Sequence, residues 1–317
     1  MRLENMSTRK QDRTQAPVRL RAFGEGVETD VSVSGERKEM LRETGTAEIN
    51  GARIYYEVAG EGEPLVLVHA GIADSRMWEG QIGAFAGGYR VLRYDMRGFG
   101  RTEMVEGPFS HHEDLRGLLD SVGVGRTHIV GCSMGGGAAL DFALEFPERV
   151  GNLVLVGSAV GGFDPDFGPP KEWDDLVAAD EAGDLGLVSE LEVRMWVDGP
   201  GRSPEDVEAS VRDLVREMNL IALQNEATGL GDEWEPEPPA ADRLPDVQAP
   251  TLLIVGDEDQ PRIFAAADLL EKELPNTRKV VMQGTAHVPN MERPEEFNRI
   301  VLDFLQDQPG LPGTGSL

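Results

Sequence analysis

Residues 128–148 read "HIVGCSMGGGAALDFALEFPE". A short apolar run leads into Gly131-Cys132-Ser133-Met134-Gly135, and a pattern typical of a helix follows at once. A serine between two glycines at a strand–helix junction matches the nucleophile-elbow pattern, in which a strained turn exposes the serine hydroxyl above the edge of a sheet. Ordinary glycine-rich loops also contain Gly-x-Ser-x-Gly, so the interpretation depends on whether the chain supplies partners for such a serine.

Apolar runs bounded by turn residues recur along the chain and predict buried strands. They are PLVLVHAG, YRVLRYDMRG, THIVGCS, VGNLVLVGS and APTLLIVGDED, with TRKVVMQGTAH as a weaker example. Asn50-Gly51 adds a hairpin signal between Ala47–Ile49 and Ile54–Val58. Helical patterns lie between the strands, at Met77–Phe85, His112–Val122, Met134–Phe146, Arg262–Leu274 and Pro294–Phe304. This alternation predicts right-handed βαβ units and an α/β fold with a mostly parallel sheet.

The alternation stops over residues 161–246, where two long segments have helical periodicity. We interpret 161–246 as a helical lid over the carboxyl edge of the sheet, and residues 45–160 and 247–307 as the core domain. Ser203 followed by Pro204 predicts the start of one lid helix, with Ser203 as its N-cap.

The two ends of the chain lack such patterns. Residues 1–44 are polar without a sustained period, which indicates a disordered extension or an over-extended start before the domain. Residues 308–317 are rich in glycine and proline and predict a flexible tail.

Several motifs appear in a fixed order: VLVHAG, RYDMRGFGRT, GCSMGG, LLIVGDED and GTAHVPNMERPEEF. In this combination the chain, from about Gly45 to Asp307, resembles the α/β-hydrolase fold superfamily in its lid-bearing esterase and lactonase branch. Around Ser133, GCSMGG looks most like the 3-oxoadipate enol-lactonase-like group. The resemblance implies a mostly parallel eight-stranded sheet with helices on both faces.

The resemblance also implies a catalytic triad in the chain order Ser, Asp, His. Ser133 is the expected nucleophile, and His287 lies in the loop between the last strand and the last helix, where the family places its base. The family acid comes three residues after a glycine, which selects Asp259 in "GDED", with Asp257 as the alternative. Some relatives take the acid from the end of the preceding strand, but Gly157-Ser158 stands there in this chain.

The other histidines have simpler interpretations. His128 opens a strand and is expected to be packed or capping, and His69 is expected to shape the loop that follows its strand. His111 and His112 are adjacent, so their side chains splay apart and do not suit a metal pair. Cys132 should point away from Ser133 and be buried.

An attack on a carbonyl creates an oxyanion, which needs backbone N–H donors around it. One expected donor is Met134, directly after the nucleophile. The other comes from the turn in "HAGIADSRMW", with Gly71 as the first choice and Ile72 as the second. Relatives often read His-Gly-x at this turn, whereas this chain has Ala70 after the histidine.

The loop "DMRGFGRT" allows further roles. Asp95 could serve as a catalytic acid, and Arg97 or Arg101 could hold a substrate carboxylate. The alternative is that Asp95 and the arginines pair with one another and fix the loop.

Composition narrows the function. The formal net charge of -27 makes nucleic acids and anionic membranes unfavourable partners. Cys132 is the only cysteine, so no intramolecular disulfide can form. No apolar run reaches the roughly 20 residues that span a bilayer. We therefore expect a cytoplasmic protein that uses no cofactor or metal.

These observations predict a serine hydrolase that cleaves a small carboxylic ester or lactone through an acyl-enzyme. On the same triad, hydrolysis of a C–C bond and cofactor-free perhydrolase or haloperoxidase chemistry remain alternatives. A serine at the elbow disfavours the dehalogenase and epoxide hydrolase chemistries, which use a carboxylate nucleophile. From another class, a non-catalytic ligand-binding protein on this fold is the remaining hypothesis.

Overall fold

An eight-stranded sheet with helices packed on both faces forms the core of the chain. It is seen in a computed structural model that describes residues 42–308 and residue 311. The strands, two of which lie outside this sheet, are β1 (Arg42–Ile49), β2 (Ala52–Ala59), β3 (Glu63–Val68), β4 (Tyr89–Tyr94), β5 (Pro108–Phe109), β6 (Thr127–Cys132), β7 (Val150–Val156), β8 (Asp232–Glu233), β9 (Thr251–Gly256) and β10 (Thr277–Met282). The helices are α1 (Glu79–Phe85), α2 (His111–Ser121), α3 (Met134–Glu145), α4 (Trp173–Glu181), α5 (Leu185–Val193), α6 (Ala209–Glu226), α7 (Pro261–Glu273), α8 (Pro289–Glu292) and α9 (Pro294–Asp307).

The strand order is β1-β2-β4-β3-β6-β7-β9-β10. β1 pairs antiparallel with β2, and β2 antiparallel with β4, whereas the remaining pairs are parallel. The predicted α/β fold with a mostly parallel eight-stranded sheet is therefore confirmed. Because parallel strands all end at the same edge, the loops after β3, β6, β7, β9 and β10 meet above one edge of the sheet.

The hairpin at one side of the sheet has the predicted turn. Asn50 and Gly51 have φ angles of 47° and 83°, as a two-residue type I′ turn requires. β1 begins at Arg42, so residues 42–44 belong to the domain and not to the expected disordered extension. The rest of that expectation, residues 1–41, lies outside the described residues.

Two apolar cores lie on opposite faces of the sheet. One contains buried side chains of α2, α3 and α7, and the other contains those of α1 and α9. α3 contributes small side chains as well as large ones, such as Ala139 and Phe142, and can therefore lie close to β6.

The segment 161–246 contains helices α4, α5 and α6, which share a small apolar core of their own. Ser203 forms a capping box with Asp206, but the turn it caps is a single 3₁₀ turn, Pro204–Asp206. Val207 is extended, with φ −119° and ψ 140°, and α6 begins only at Ala209. The predicted helix start therefore caps a shorter element. Among the described helices, none is long and apolar enough to cross a membrane.

Asp141 and Glu145 of α3 lie near Glu235, which belongs to the chain segment after α6. Burial raises the pKa of Asp141 to about 7, and the charges of Glu235 and Glu145 add to the shift while Arg243 opposes it. A carboxyl whose pKa is higher in the folded state than in the unfolded state loses its contribution to stability as the pH rises through the folded pKa.

We therefore expect Asp141→Asn to raise the free energy of unfolding at pH 8 by on the order of 2 kcal/mol. The difference should shrink at pH 5 and vanish below about pH 3.8, the ordinary pKa of the carboxyl. Urea unfolding of both proteins across this pH range measures it. Exposed Asp175→Asn makes the same chemical change and should have little effect at any pH. Equal stability of wild type and Asp141→Asn at pH 8 would contradict the prediction.

Candidate active site

Ser133 lies on the turn between the end of β6 and the start of α3, with φ 54° and ψ −117°. Its N–H donates to the Val156 carbonyl at 2.8 Å. Its carbonyl accepts from Gly137 N–H at 3.0 Å and from Ala159 N–H at 3.1 Å. Bonds to the neighbouring strand and to the helix thus hold a backbone conformation that is rare outside glycine, as the nucleophile-elbow pattern predicts.

The glycines around Ser133 are required by close backbone approach. A Cβ on Gly131 would strike the carbonyl of Gly135. A Cβ on Gly135 would lie 2.6 Å from the Val68 carbonyl oxygen. Neither backbone contact can give way, so both positions of the motif exclude any side chain.

The side chains of His287 and Asp259 form a buried pair, with Nδ1 2.9 Å from Oδ2. The second oxygen of Asp259 accepts the N–H of Gln260 at 2.7 Å. Both carboxylate oxygens therefore have partners, and the imidazole is oriented by its Nδ1. This leaves Nε2 as the ring nitrogen that can exchange a proton with a nucleophile.

Gly157, at the end of β7, links the serine turn to this pair. Ser133 bonds to the carbonyl of the preceding residue, Val156. A Cβ on Gly157 would lie 3.1 Å from His287 Nδ1 and 3.3 Å from Asp259 Oδ2. The thiol of Cys132 lies 3.6 Å from the His287 carbonyl oxygen. The structure thus gathers Ser133, Asp259 and His287 at the same edge of the sheet.

The alternative acid, Asp257, is used elsewhere. Its Oδ1 accepts the N–H of Gly284 at 2.5 Å, which ties the acid loop to the loop that carries His287. The backbone N–H of Glu258 also bonds to that loop and donates to the Thr285 carbonyl at 2.9 Å. Of the three consecutive acids, Asp259 is the one paired with the imidazole.

The turn after β3 lies against the start of α3. Ala73 N–H donates to the Ala70 carbonyl at 3.1 Å and closes a turn that contains Gly71 and Ile72. A Cβ on Gly71 would lie 3.4 Å from Met134 Sδ and 3.5 Å from Met134 Cβ. The two predicted oxyanion donors, Gly71 and Met134, are therefore neighbours.

His69 fixes this turn. Its Nδ1 lies 2.9 Å from the Ala70 carbonyl oxygen, and its Nε2 accepts the N–H of Met96 at 2.9 Å. Burial lowers the pKa of His69, which is consistent with a neutral ring that donates from Nδ1. His69 therefore shapes the loop that follows β3.

The loop after β4 is fixed by hydrogen bonds and an ion pair, and the partners differ from those we expected. Asp95 accepts the backbone N–H groups of Ser75 and Arg101, each at 2.8 Å. Arg97 makes a bidentate, buried ion pair with Asp114 at 2.9 Å.

Arg101 is the exposed member of this loop. Its guanidinium lies over the Tyr55 ring at 4.4 Å and is 57 % exposed. Together with the engaged Asp95 and Arg97, this arrangement supports a structural role for the loop over the catalytic and substrate-binding roles we considered.

The remaining histidines serve packing. His128 Nδ1 accepts the N–H of Asn152 at 3.1 Å, and Nε2 lies 3.1 Å from Glu63. His111 is buried against Phe109, and burial lowers its pKa to about 4. Burial raises the pKa of the Cys132 thiol, so this side chain is a poor nucleophile.

Trp196, in the segment 161–246, contacts His287, and the sequence did not predict this contact. Its ring centroid lies 4.6 Å from that of His287, with 37° between the planes. Local sequence patterns do not single out Trp196, because its place opposite the imidazole follows from the path of the chain through residues 161–246.

The chain matches the alpha/beta hydrolase family over residues 65–300. It belongs to that family. A 2-hydroxy-6-oxononadienedioate/2-hydroxy-6-oxononatrienedioate hydrolase of Burkholderia vietnamiensis is 33% identical to this hydrolase over 268 residues, covering 80% of this chain and 91% of the relative. A 2-hydroxy-6-oxo-6-phenylhexa-2,4-dienoate hydrolase of Comamonas testosteroni is 30% identical, covering 80% and 92%. Among solved structures, the enol-lactonase of Burkholderia xenovorans LB400 is similar with a TM-score of 0.68 and 25% identity, covering 83% of this chain and 100% of that one.

The two loop carboxylates of this hydrolase can be told apart by substitution. We expect Asp259→Asn to slow the reaction of Ser133 with a fluorophosphonate by roughly 10³-fold or more, because the amide no longer orients the imidazole in the required tautomer. Asp257→Asn makes the same change in the same loop and should cost far less. A larger loss for Asp257→Asn than for Asp259→Asn would reverse the assignment of the acid.

Proposed function

We propose that this hydrolase cleaves a carbon–carbon bond in a 2-hydroxy-6-oxo-dienoate, using Ser133, His287 and Asp259. The observation that carries the proposal is the buried His287–Asp259 pair beside the Ser133 turn, in a chain about one-third identical to a hydrolase of such compounds. Relatives of both the dioate and the phenyl type support it. The C–C alternative from the sequence is thus favoured over an ester or lactone as the main substrate.

The chemistry follows from the structure of these compounds. A 2-hydroxy-6-oxo-dienoate has no ester, amide or lactone bond, so its hydrolysis must break a C–C bond beside the C6 ketone. Water supplies its oxygen to C6, which becomes a carboxylic acid, and a proton to C5, which departs with the dienoate fragment. The reaction therefore needs a carbonyl-activating site and a group that can deliver a proton to carbon.

The site residues fit those two needs. Backbone N–H groups of Met134 and Gly71 would stabilise the oxyanion that forms when C6 is attacked. His287 would accept a proton from the Ser133 hydroxyl or from water and return one to C5, while Asp259 stabilises the imidazolium.

The charges of the lid favour a substrate with a single carboxylate. Each lysine and arginine of residues 161–246 lies within ion-pair distance of a carboxylate. The pairs are Lys171–Glu172, Arg194–Glu190, Arg202–Glu292, Arg212–Asp198, Arg216–Asp213 and Arg243–Glu145. A second substrate carboxylate that bound to one of these lid cations would have to displace its partner, so we propose a substrate with an apolar group on C6.

Hydrolysis of an ester or lactone is the second candidate. The likeness to an enol-lactonase over all of that enzyme's chain favours it. The same serine and oxyanion donors would serve, but the leaving group would be an oxygen and no proton transfer to carbon would be needed.

We expect the purified protein to consume 2-hydroxy-6-oxo-6-phenylhexa-2,4-dienoate with release of benzoate, measured by loss of dienol absorbance and by chromatography. kcat/KM should exceed that for the 6-oxononadienedioate analogue by about 10-fold or more, since one added unpaired charge costs at least 1.4 kcal/mol. Ser133→Ala should lower the rate by at least about 10³-fold. Ser121→Ala, remote on α2, should not.

The assay also separates the alternatives. Turnover of p-nitrophenyl esters or lactones without any benzoate release would replace the C–C proposal with the second candidate. Neither turnover nor fluorophosphonate labelling of Ser133 would favour a ligand-binding protein without catalysis.

A further inference from the structure

One turn of the lid packs against the loops that carry Asp259 and His287. After α5 the chain makes a single π-helical turn, Arg194–Asp198, which closes with Gly199 N–H donating to the Arg194 carbonyl at 3.2 Å. Gly199 has a φ of 76°, and a Cβ there would strike the Glu258 carbonyl. This lid turn (residues 194–199) therefore packs directly on the loop that carries Asp259.

The carbonyls at the end of a helical element lack partners within it and need donors from elsewhere. Two carbonyls of the lid turn take theirs from the catalytic loops. Gln260, adjacent to Asp259, donates its side-chain amide to the Met195 carbonyl at 2.5 Å. His287 donates its own backbone N–H to the Trp196 carbonyl at 3.2 Å.

The next two carbonyls are bonded by Arg202. Its Nη2 donates to the Val197 carbonyl at 2.6 Å, and its Nε donates to the Asp198 carbonyl at 2.8 Å. Its Nη1 donates to the Gly284 carbonyl at 3.1 Å and to Glu292 at 2.6 Å. Arg202 thus spans from the lid turn to the loop that carries His287.

Glu292 completes the connection. Its second oxygen accepts the N–H of Ala286, the residue before His287, at 2.7 Å. The Arg202 and Glu292 side chains are 10 % and 7 % exposed. A buried ion pair that is also bonded on its other side resists displacement, because separating it leaves a charge without a partner.

The indole of Trp196 then lies beside the imidazole of His287, at the 4.6 Å centroid separation described above. In the catalytic cycle His287 passes from neutral to positively charged. The face of an indole attracts a cation, so this contact favours the charged ring as well as fixing its orientation.

We infer that Trp196 is a positioning residue for His287, and that Arg202 and Glu292 hold Trp196 in place. The lid turn would then take part in proton transfer and not only enclose the substrate. The inference rests on the serine-triad part of the proposed function, and it is independent of whether the bond cleaved is C–C or ester.

The first test measures fluorophosphonate labelling of Ser133, which needs the base but no particular substrate. We expect Trp196→Leu to slow labelling about 10-fold or more, since small misplacements of catalytic groups cost up to about 10²-fold. Trp196→Phe keeps an aromatic face and should stay within about 3-fold of wild type. Trp234→Leu is the matched control, because the Trp234 ring lies edge-on to that of His112, with 5.2 Å between the centroids, and is 45 % exposed.

The second test separates positioning from substrate contact. With a p-nitrophenyl ester, Trp196→Leu should lower kcat while KM changes less than about 2-fold. A raised KM with unchanged kcat would make Trp196 a pocket wall and overturn the inference. Labelling of folded Trp196→Leu at the wild-type rate would overturn it as well.

Glu292→Gln keeps the size of the side chain and covers the case in which Trp196→Leu does not fold. Loss of the ionic hold on Arg202 should slow labelling about 3-fold or more, whereas Arg216→Met, which removes an exposed ion pair of the same lid, should not. A wild-type rate for folded Glu292→Gln would count against the inference. If wild type itself is not labelled, the proposed serine chemistry fails. If wild type is labelled but cleaves neither the phenyl nor the dioate compound, only the C–C proposal fails.

Discussion

Ser133 has a backbone conformation that costs on the order of 1–3 kcal/mol in a non-glycine residue. The turn keeps it because Val156, Gly137 and Ala159 all bond to its backbone, and because neighbouring glycines let helix, strand and loop approach within distances that exclude a Cβ. Without this strain the serine would lie along the strand or within the helix, and its hydroxyl would not stand above the sheet edge. Every other part of the site is arranged around that position.

The loops that carry Asp259 and His287 are held by further polar contacts in addition to the bond between these two side chains. Asp257 and Glu258 bond to the backbone of Gly284 and Thr285 and so join the two loops, and Glu292 accepts the N–H of Ala286 within the histidine loop. A buried charge is stable only when its partners are complete. Asp257 therefore ties the histidine loop to the end of β9 through its side chain, whereas Glu258 does so through its backbone N–H.

Local sequence patterns predicted the elements whose causes are local. Asn50-Gly51 adopts the turn that its residues favour, and Gly131 to Gly135 forms the elbow. Prediction failed at two positions. Ser203 caps a turn that ends at once because Val207 is extended, and Arg97 pairs with Asp114 instead of with Asp95.

The order in which the partners follow Ser133 came from the family resemblance. The class of fold and the serine turn were determined by the sequence itself. These depend on apolar periodicity and on glycines at defined spacing, both of which are written along the chain. The family resemblance had selected Asp259 over Asp257, and the structure pairs Asp259 with the imidazole. Only the tertiary structure decided that Gly157 leaves room for the pair and that Trp196 lies beside it. Those contacts join residues far apart in the chain, and the choice among them depends on loop paths that no local pattern specifies.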